Sequence, residues 1–197
     1  MGSSISSPTV TYSDFLAAAD EDVPAEWVAG EIIEMSPASR LHQDLARFLT
    51  NILSAFVEHH ALGVLLPAPF QMKLEASGRE PDVLFVATRN RERLRSTYLD
   101  GPADLAIEIV SPESRGRDRG DKFYEYEQAG VREYWLIDPE RERAEFYRLE
   151  DEIYSLATLT DGVFRSRVLP DLELPIAWLW QQPLPTLVSV LKEWKLV

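Results

Sequence analysis

The amino-acid sequence predicts an α/β domain in which a mixed central sheet is covered by helices. Three observations carry this. Between Leu41 and His60 the apolar residues Leu41, Leu45, Phe48, Leu49, Ile52, Leu53 and Phe56 recur at three and four positions, the period of one helical face. Pro81 to Ala87 (PDVLFVA) and Ala103 to Val110 (ADLAIEIV) are short, almost unbroken apolar runs, the pattern of strands covered on both sides. A chain of 197 residues, 45% hydrophobic and 10% aromatic, can fill one sizeable core. One domain over residues 1–197 is expected, with 1–11 as a flexible N-terminus.

The elements follow in order. Ser13 to Ala19 reads as a short helix, and Glu26 to Met35 as an N-terminal hairpin, with Trp27, Val28, Ile32 and Ile33 around Gly30. Pro37 closes the hairpin, and Ser39 is available as N-cap of the long helix, which Gly63 ends. Val64 to Glu75 reads as one strand, and Pro67 and Pro69 within it favour a sheet edge. A turn at Ser77-Gly78 leads to the two apolar runs, which read as central strands. Between them RNRERLRSTYLDGP is a charged connector. SRGRDRGD, after Pro112, is a loop feeding a helix over Asp121 to Ala129 that Gly130 terminates. Val131 to Ile137 is a further strand, stopped by Asp138-Pro139, and AEFYRL with EIYSLATL forms a C-terminal hairpin. The tail RVLPDLELPIAWLWQQPLPTL reads as a loop and short helix over the core. The core order is helix, strand, strand, strand, helix, strand.

Composition excludes several classes of function. Asp and Glu number 33 against 20 Lys and Arg, a net charge of −13, so most of the surface repels nucleic acid and any phosphate contact must be local. The absence of Cys excludes disulfides, thiolate metal sites and a Cys nucleophile, and three His leave little for zinc. MGSSISSPTV is not a basic segment followed by an apolar one, and no window approaches a membrane span. A cytoplasmic protein that does not engage a membrane is expected.

Two carboxylates stand out. Strand alternation puts Asp104, Ala106, Glu108 and Val110 on one face and Leu105, Ile107 and Ile109 on the other. Glu108 therefore lies in a strand that is otherwise buried, and Asp82 opens the neighbouring apolar strand. A buried carboxylate must be protonated, paired or bound to a metal. Taken singly, each could cap a strand end or pair with an arginine. Together, two carboxylates from adjacent central strands suit a hard cation such as Mg²⁺, which takes one or two carboxylates, waters and phosphate oxygens. Such an ion activates water for phosphodiester hydrolysis. A further cation is wanted at the transition state, and Lys122, opening the next helix, can return over the end of the strand.

These residues carry a family resemblance. Pro81-Asp82 followed by Glu108-Ile109-Val110, in this order of elements, resembles the PD-(D/E)xK nuclease superfamily, and more closely its Uma-two branch of restriction endonuclease-like proteins. GEIIEMSP (Gly30 to Pro37), His42, REPDVLFV (Arg79 to Val86), PADLAIEIVSPES (Pro102 to Ser114), DKFYEYEQAGVREYWLIDP (Asp121 to Pro139) and LPDLELPIAWLW (Leu169 to Trp180) resemble that branch in order and spacing. The resemblance spans residues 12 to 180. It implies a restriction-endonuclease-like core, Mg²⁺ or Mn²⁺ as cofactor, and Asp82, Glu108 and the backbone carbonyl of Ile109 as metal ligands. Val110 stands where the superfamily has its usual lysine. In the Uma-two branch that lysine has moved to the following helix, which implies Lys122 as the catalytic cation. Glu31 is implied as a further acid near the metal, with Glu34 and Glu26 behind it.

His42, in the first turn of the long helix, and Arg91, Arg115 and Arg117, from two Arg-rich loops, are candidate substrate contacts. Residues 89–122 hold eight basic residues against seven acids, a local net of +1. The same loops also read as solvated connectors. The expected function is metal-dependent phosphodiester hydrolysis by a DNA endonuclease, acting as a homodimer with the tail around Trp178 and Trp180 as interface. The alternative is a non-catalytic member of the same fold that binds metal or a partner.

Overall fold

A computed structural model describes residues 9–18 and 25–197. In chain order its elements are α1 (Tyr12–Ala18), β1 (Ala25–Val28), β2 (Glu31–Glu34), α2 (Arg40–His59), β3 (Gly63–Pro67), β4 (Gln71–Lys73), β5 (Ser77–Arg79), β6 (Val83–Ala87), β7 (Tyr98–Asp100), β8 (Leu105–Ile109), α3 (Arg115–Arg119), α4 (Asp121–Ala129), β9 (Glu133–Asp138), β10 (Arg143–Glu150), β11 (Ile153–Leu156), β12 (Val163–Arg165), β13 (Glu173–Pro175) and α5 (Leu187–Glu193). Turns of 3-10 helix lie at Thr88–Arg93 and Ile176–Trp180.

The main sheet runs β11-β10-β9-β8-β6-β3. It is mixed as predicted, because β8 pairs antiparallel with β6 and parallel with β9. Both inner runs are buried along their whole length, and the period of two sorts their side chains. Leu105, Ile107 and Ile109 turn toward α2, where they meet Leu49, Ile52 and Leu53. Ala106 and Val110 turn the other way, into the cluster that holds Tyr126 of α4 and Tyr134 of β9. The helix α2 starts where the sequence predicts, with Ser39 Oγ accepting the His42 N–H at 3.2 Å. Gly130 ends α4 at φ +88°, a left-handed conformation that favours glycine.

Other segments differ from expectation. Val64 to Glu75 is two strands: β3 at the edge of the main sheet, and β4 inside a second sheet ordered β2-β1-β5-β4-β7. Ser77-Gly78 belongs to strand β5, and Gly78 lets α1 close on it: a Cβ there would lie 2.3 Å from a ring carbon of Tyr12. Ser-Gly-Arg holds no apolar residue, so periodicity could not reveal this strand. The charged connector contributes β7, and the SRGRDRGD loop contains α3. The tail holds β13, paired with the preceding β12, and the 3-10 turn over Ile176–Trp180, and leads into α5; Trp178 and Trp180 pack partly buried on the core. Residues 1–8 of the expected flexible N-terminus, and Ala19, lie outside the described residues.

Candidate active site

The β6–β8 register pairs Val83 with Ile107. Asp82 immediately precedes β6 and Glu108 follows Ile107 in β8, so the two carboxylates enter at the same end of this strand pair. Asp82 is fixed from two sides: its Oδ2 accepts the Ile109 N–H at 2.6 Å and its Oδ1 accepts from His42 Nε2 at 2.8 Å. The N–H and C=O of one strand residue leave the same edge of the strand, so the Ile109 carbonyl faces the Asp82 side. Ser39 caps α2 so that His42 can reach Asp82 from the helix's first turn.

Glu108 is held from the opposite direction. Its Oε1 accepts from Lys122 Nζ at 2.9 Å and from the Tyr126 hydroxyl at 2.8 Å. Lys122 and Tyr126 are four residues apart on α4 and share its inner face. With both donors on Oε1, Oε2 carries no hydrogen bond among the described residues. Lys122 is 1% exposed, and its ammonium also meets Glu26 Oε1 at 2.9 Å and lies 3.8 Å from Asp118 Oδ1. Glu26, fully buried in β1, accepts in turn from Arg79 at 3.0 Å and from the Glu80 N–H at 3.1 Å. Arg79 grips Glu125 of α4 with two nitrogens, at 2.8 and 2.5 Å. A chain of alternating charge, Glu125–Arg79–Glu26–Lys122–Glu108, thus ties the second sheet to α4 and the main sheet.

Acids outnumber bases in this cluster. Five acids (Glu26, Asp82, Glu108, Asp118 and Glu125) face three bases, Arg79, Lys122 and His42. Burial raises the Glu108 pKa well above the usual carboxylate range, and the charges of Asp118, Asp82 and Glu26 add to the rise against the opposing pull of Lys122. Asp118 is raised by the same causes. For Glu26 burial is outweighed by Lys122 and Arg79, so its pKa is lowered and it stays ionised. His42 is raised, because its bond to Asp82 outweighs its burial. Lys122 is raised too, since Glu108, Glu26 and Asp118 outweigh desolvation.

The structure brings together Asp82, Glu108, Ile109, Lys122 and His42. Glu31 and Glu34 stand exposed on the β2 edge, and the hairpin's contribution to the cluster is Glu26. Arg115 is turned to Asp138 at 3.4 Å and to Glu140 at 3.7 Å. Arg91 is exposed beyond the far end of β6, a strand length from Asp82. Arg117 precedes Asp118 on α3, donates to Met35 Sδ at 3.8 Å and has no carboxylate partner among the described residues. Other arginines of the two loops are engaged within the chain, Arg89 with Asp104, Arg95 with Asp100 and Arg119 with Glu145. Asp118, Tyr126 and Arg79 were not singled out from sequence. The one available signal for Asp118 is its position four residues before Lys122, across a glycine.

Residues 12–177 match the Uma2 family, described as "Putative restriction endonuclease". The chain belongs to this family. Among solved structures it is similar to one described as a "putative nuclease" from Anabaena variabilis, at 18% identity and a TM-score of 0.75, over 87% of this chain and 97% of that one. That likeness shows a shared fold. No curated protein matches.

Membership in the Uma2 family, within the PD-(D/E)xK nucleases, implies a divalent metal. Among the described residues no three His, Asp or Glu side chains are grouped as a metal site. The donors nevertheless suit a hard cation that keeps waters: they are oxygens, and two carboxylates suffice for Mg²⁺. Asp82, Glu108 through Oε2, and the Ile109 carbonyl are the groups that could hold it.

Proposed function

We propose that the protein is a metal-dependent phosphodiester hydrolase, a DNA endonuclease using Mg²⁺ or Mn²⁺ at Asp82, Glu108 and the Ile109 carbonyl. The observation that carries this reading is the pair Asp82 and Glu108 from neighbouring strands, Glu108 buried and Asp82 partly buried, in a cluster where acids outnumber bases. When bound, the ion would lower the pKa of a coordinated water and neutralise charge building on the phosphate. The chain's own part is orientation. His42 and the Ile109 N–H fix Asp82, while Lys122 and Tyr126 hold Glu108 by one oxygen and leave the other free. Lys122 does not stand open to substrate. Its charge keeps Glu26 ionised and pulls the Glu108 pKa down against burial. Arg117, lacking a carboxylate partner, is the arginine best placed to meet a phosphate. A homodimer would offer two such sites to a duplex.

One observation favours the second reading, a non-catalytic member that binds metal or a partner. Ion pairs within the chain engage most arginines of the two loops, so few remain for DNA.

The test is Mn²⁺ titration of wild type and Asp82→Ala, read by melting temperature and by cleavage of supercoiled and single-stranded DNA. Saturation at a hundred times the dissociation constant stabilises by about 2.7 kcal/mol, or about 5–10 °C for a chain of this size. Wild type should gain that shift and cut, and Asp82→Ala should do neither. Equal shifts for both proteins would place the metal elsewhere. A shift without cleavage would favour the second reading.

A further inference from the structure

Asp118 is the acid of the cluster whose chemistry is unfinished. Its side chain is 1% exposed, and Oδ2 accepts the Ser114 hydroxyl at 2.5 Å. Oδ1 is buried and has no hydrogen-bond partner among the described residues. Lys122 Nζ, at 3.8 Å, is beyond hydrogen-bond distance, because the ammonium is drawn to Glu26 and Glu108 at 2.9 Å. A buried carboxylate oxygen without a donor is rare in native proteins, and it marks a place where a donor is missing. The group is fixed rather than mobile: Ser114 holds one oxygen, and the Tyr134 hydroxyl donates to the Asp118 carbonyl at 3.0 Å. Oδ1 lies 3.8 Å from the Lys122 ammonium that Glu108 also meets.

We infer that Asp118 is an outer acid of the cation site, its free Oδ1 accepting a hydrogen bond from a water coordinated to the divalent ion held by Asp82 and Glu108. This rests on the metal-binding reading of those two residues. Mg²⁺ and Mn²⁺ keep part of their hydration shell, and those waters are strong donors that need acceptors. An outer role also agrees with the absence of a three-carboxylate metal group among the described residues. Ser114 then acts through Asp118 by fixing the carboxylate plane.

The test separates this role from a structural one by opposite signs. Asp118→Asn keeps the size of the side chain and an acceptor for Ser114 but removes the charge. In metal-free protein the substitution relieves repulsion with Asp82, Glu108 and Glu26, so the melting temperature should rise by a few degrees. Mn²⁺ affinity, measured by calorimetry, should fall by about 10- to 100-fold, the usual effect of losing an outer-shell partner. If Asp118 merely supports Lys122, the metal-free melting temperature falls and the affinity of the folded protein is unchanged. That result overturns the inference. Asp82→Ala, measured alongside, separates the two levels. If Asp82→Ala abolishes Mn²⁺ binding and Asp118→Asn leaves it intact, the inference fails and the metal reading stands. If wild type takes up no Mn²⁺, both fall.

Discussion

Replacing Lys122 by methionine tests the electrostatic account most directly. The ammonium is fully buried, bonds Glu26 and Glu108 at 2.9 Å, and is the nearest cation to Asp118. Methionine fills a similar volume, so the change is one of charge more than of packing. Glu26 would then keep only Arg79, which also serves Glu125, and Glu108 and Asp118 would have no cation among the described residues. Removing one partner from a buried ion pair costs about 3–5 kcal/mol, because the remaining charge stays desolvated. At about 2–4 °C per kcal/mol for a chain of this length, the melting temperature should drop by about 6–20 °C. Sequence alone suggests that the fold would tolerate Lys122→Met, since there the lysine reads as an open catalytic group. The structure predicts the opposite. Circular dichroism melts of metal-free protein provide the assay, repeated with saturating Mn²⁺, which should recover part of the loss by supplying the missing positive charge. A melting temperature within about 2 °C of wild type would refute the view that Lys122 neutralises this cluster.

Two further outcomes follow from the same geometry. The Glu108 pKa is raised on folding, so the native state keeps a proton that the unfolded chain has lost, and metal-free stability should fall as pH rises from the usual carboxylate range through that raised value. Glu108→Gln should flatten this dependence in melts taken across pH, and an unchanged slope would contradict the raised pKa. Arg117 adjoins Asp118 in the chain and Arg91 lies a strand length from Asp82, so Arg117→Gln should make the salt dependence of DNA binding shallower by about one phosphate contact while Arg91→Gln leaves it unaltered. Equal effects of the two substitutions, measured by binding across a salt series, would remove Arg117 from its special place.

Much of the framework was legible in the sequence because the main sheet is built from segments whose apolar pattern is complete in itself. The runs around Phe85 and Ile107 are buried on both faces and read so, and the helical stripe from Leu45 to Phe56 marks α2 along its length. Asp82 and Glu108 stood out because a carboxylate breaks such a run. The second sheet was not legible. Ser77–Arg79 and Tyr98–Asp100 are three residues each, and they become strands only because distant segments supply their hydrogen-bond partners.

The sequence by itself determined the sheet's central strands, the long helix, the family and the two carboxylates, since each depends on local pattern or on several short blocks in fixed order. Tertiary structure alone decided which other charges join them. Glu26 lies 96 residues from Lys122, and Arg79 lies 46 from Glu125, yet both pairs are in hydrogen-bond contact. Nothing in their spacing distinguishes Glu26 from Glu31 on the same hairpin. What separates them is that β1 lies between β2 and β5 inside the second sheet, which buries Glu26 against Lys122, while β2 is an edge that leaves Glu31 in water. Coulomb interactions act through space and strengthen where water is excluded, so the charge balance of the site depends on how the sheets pack, which no local pattern encodes.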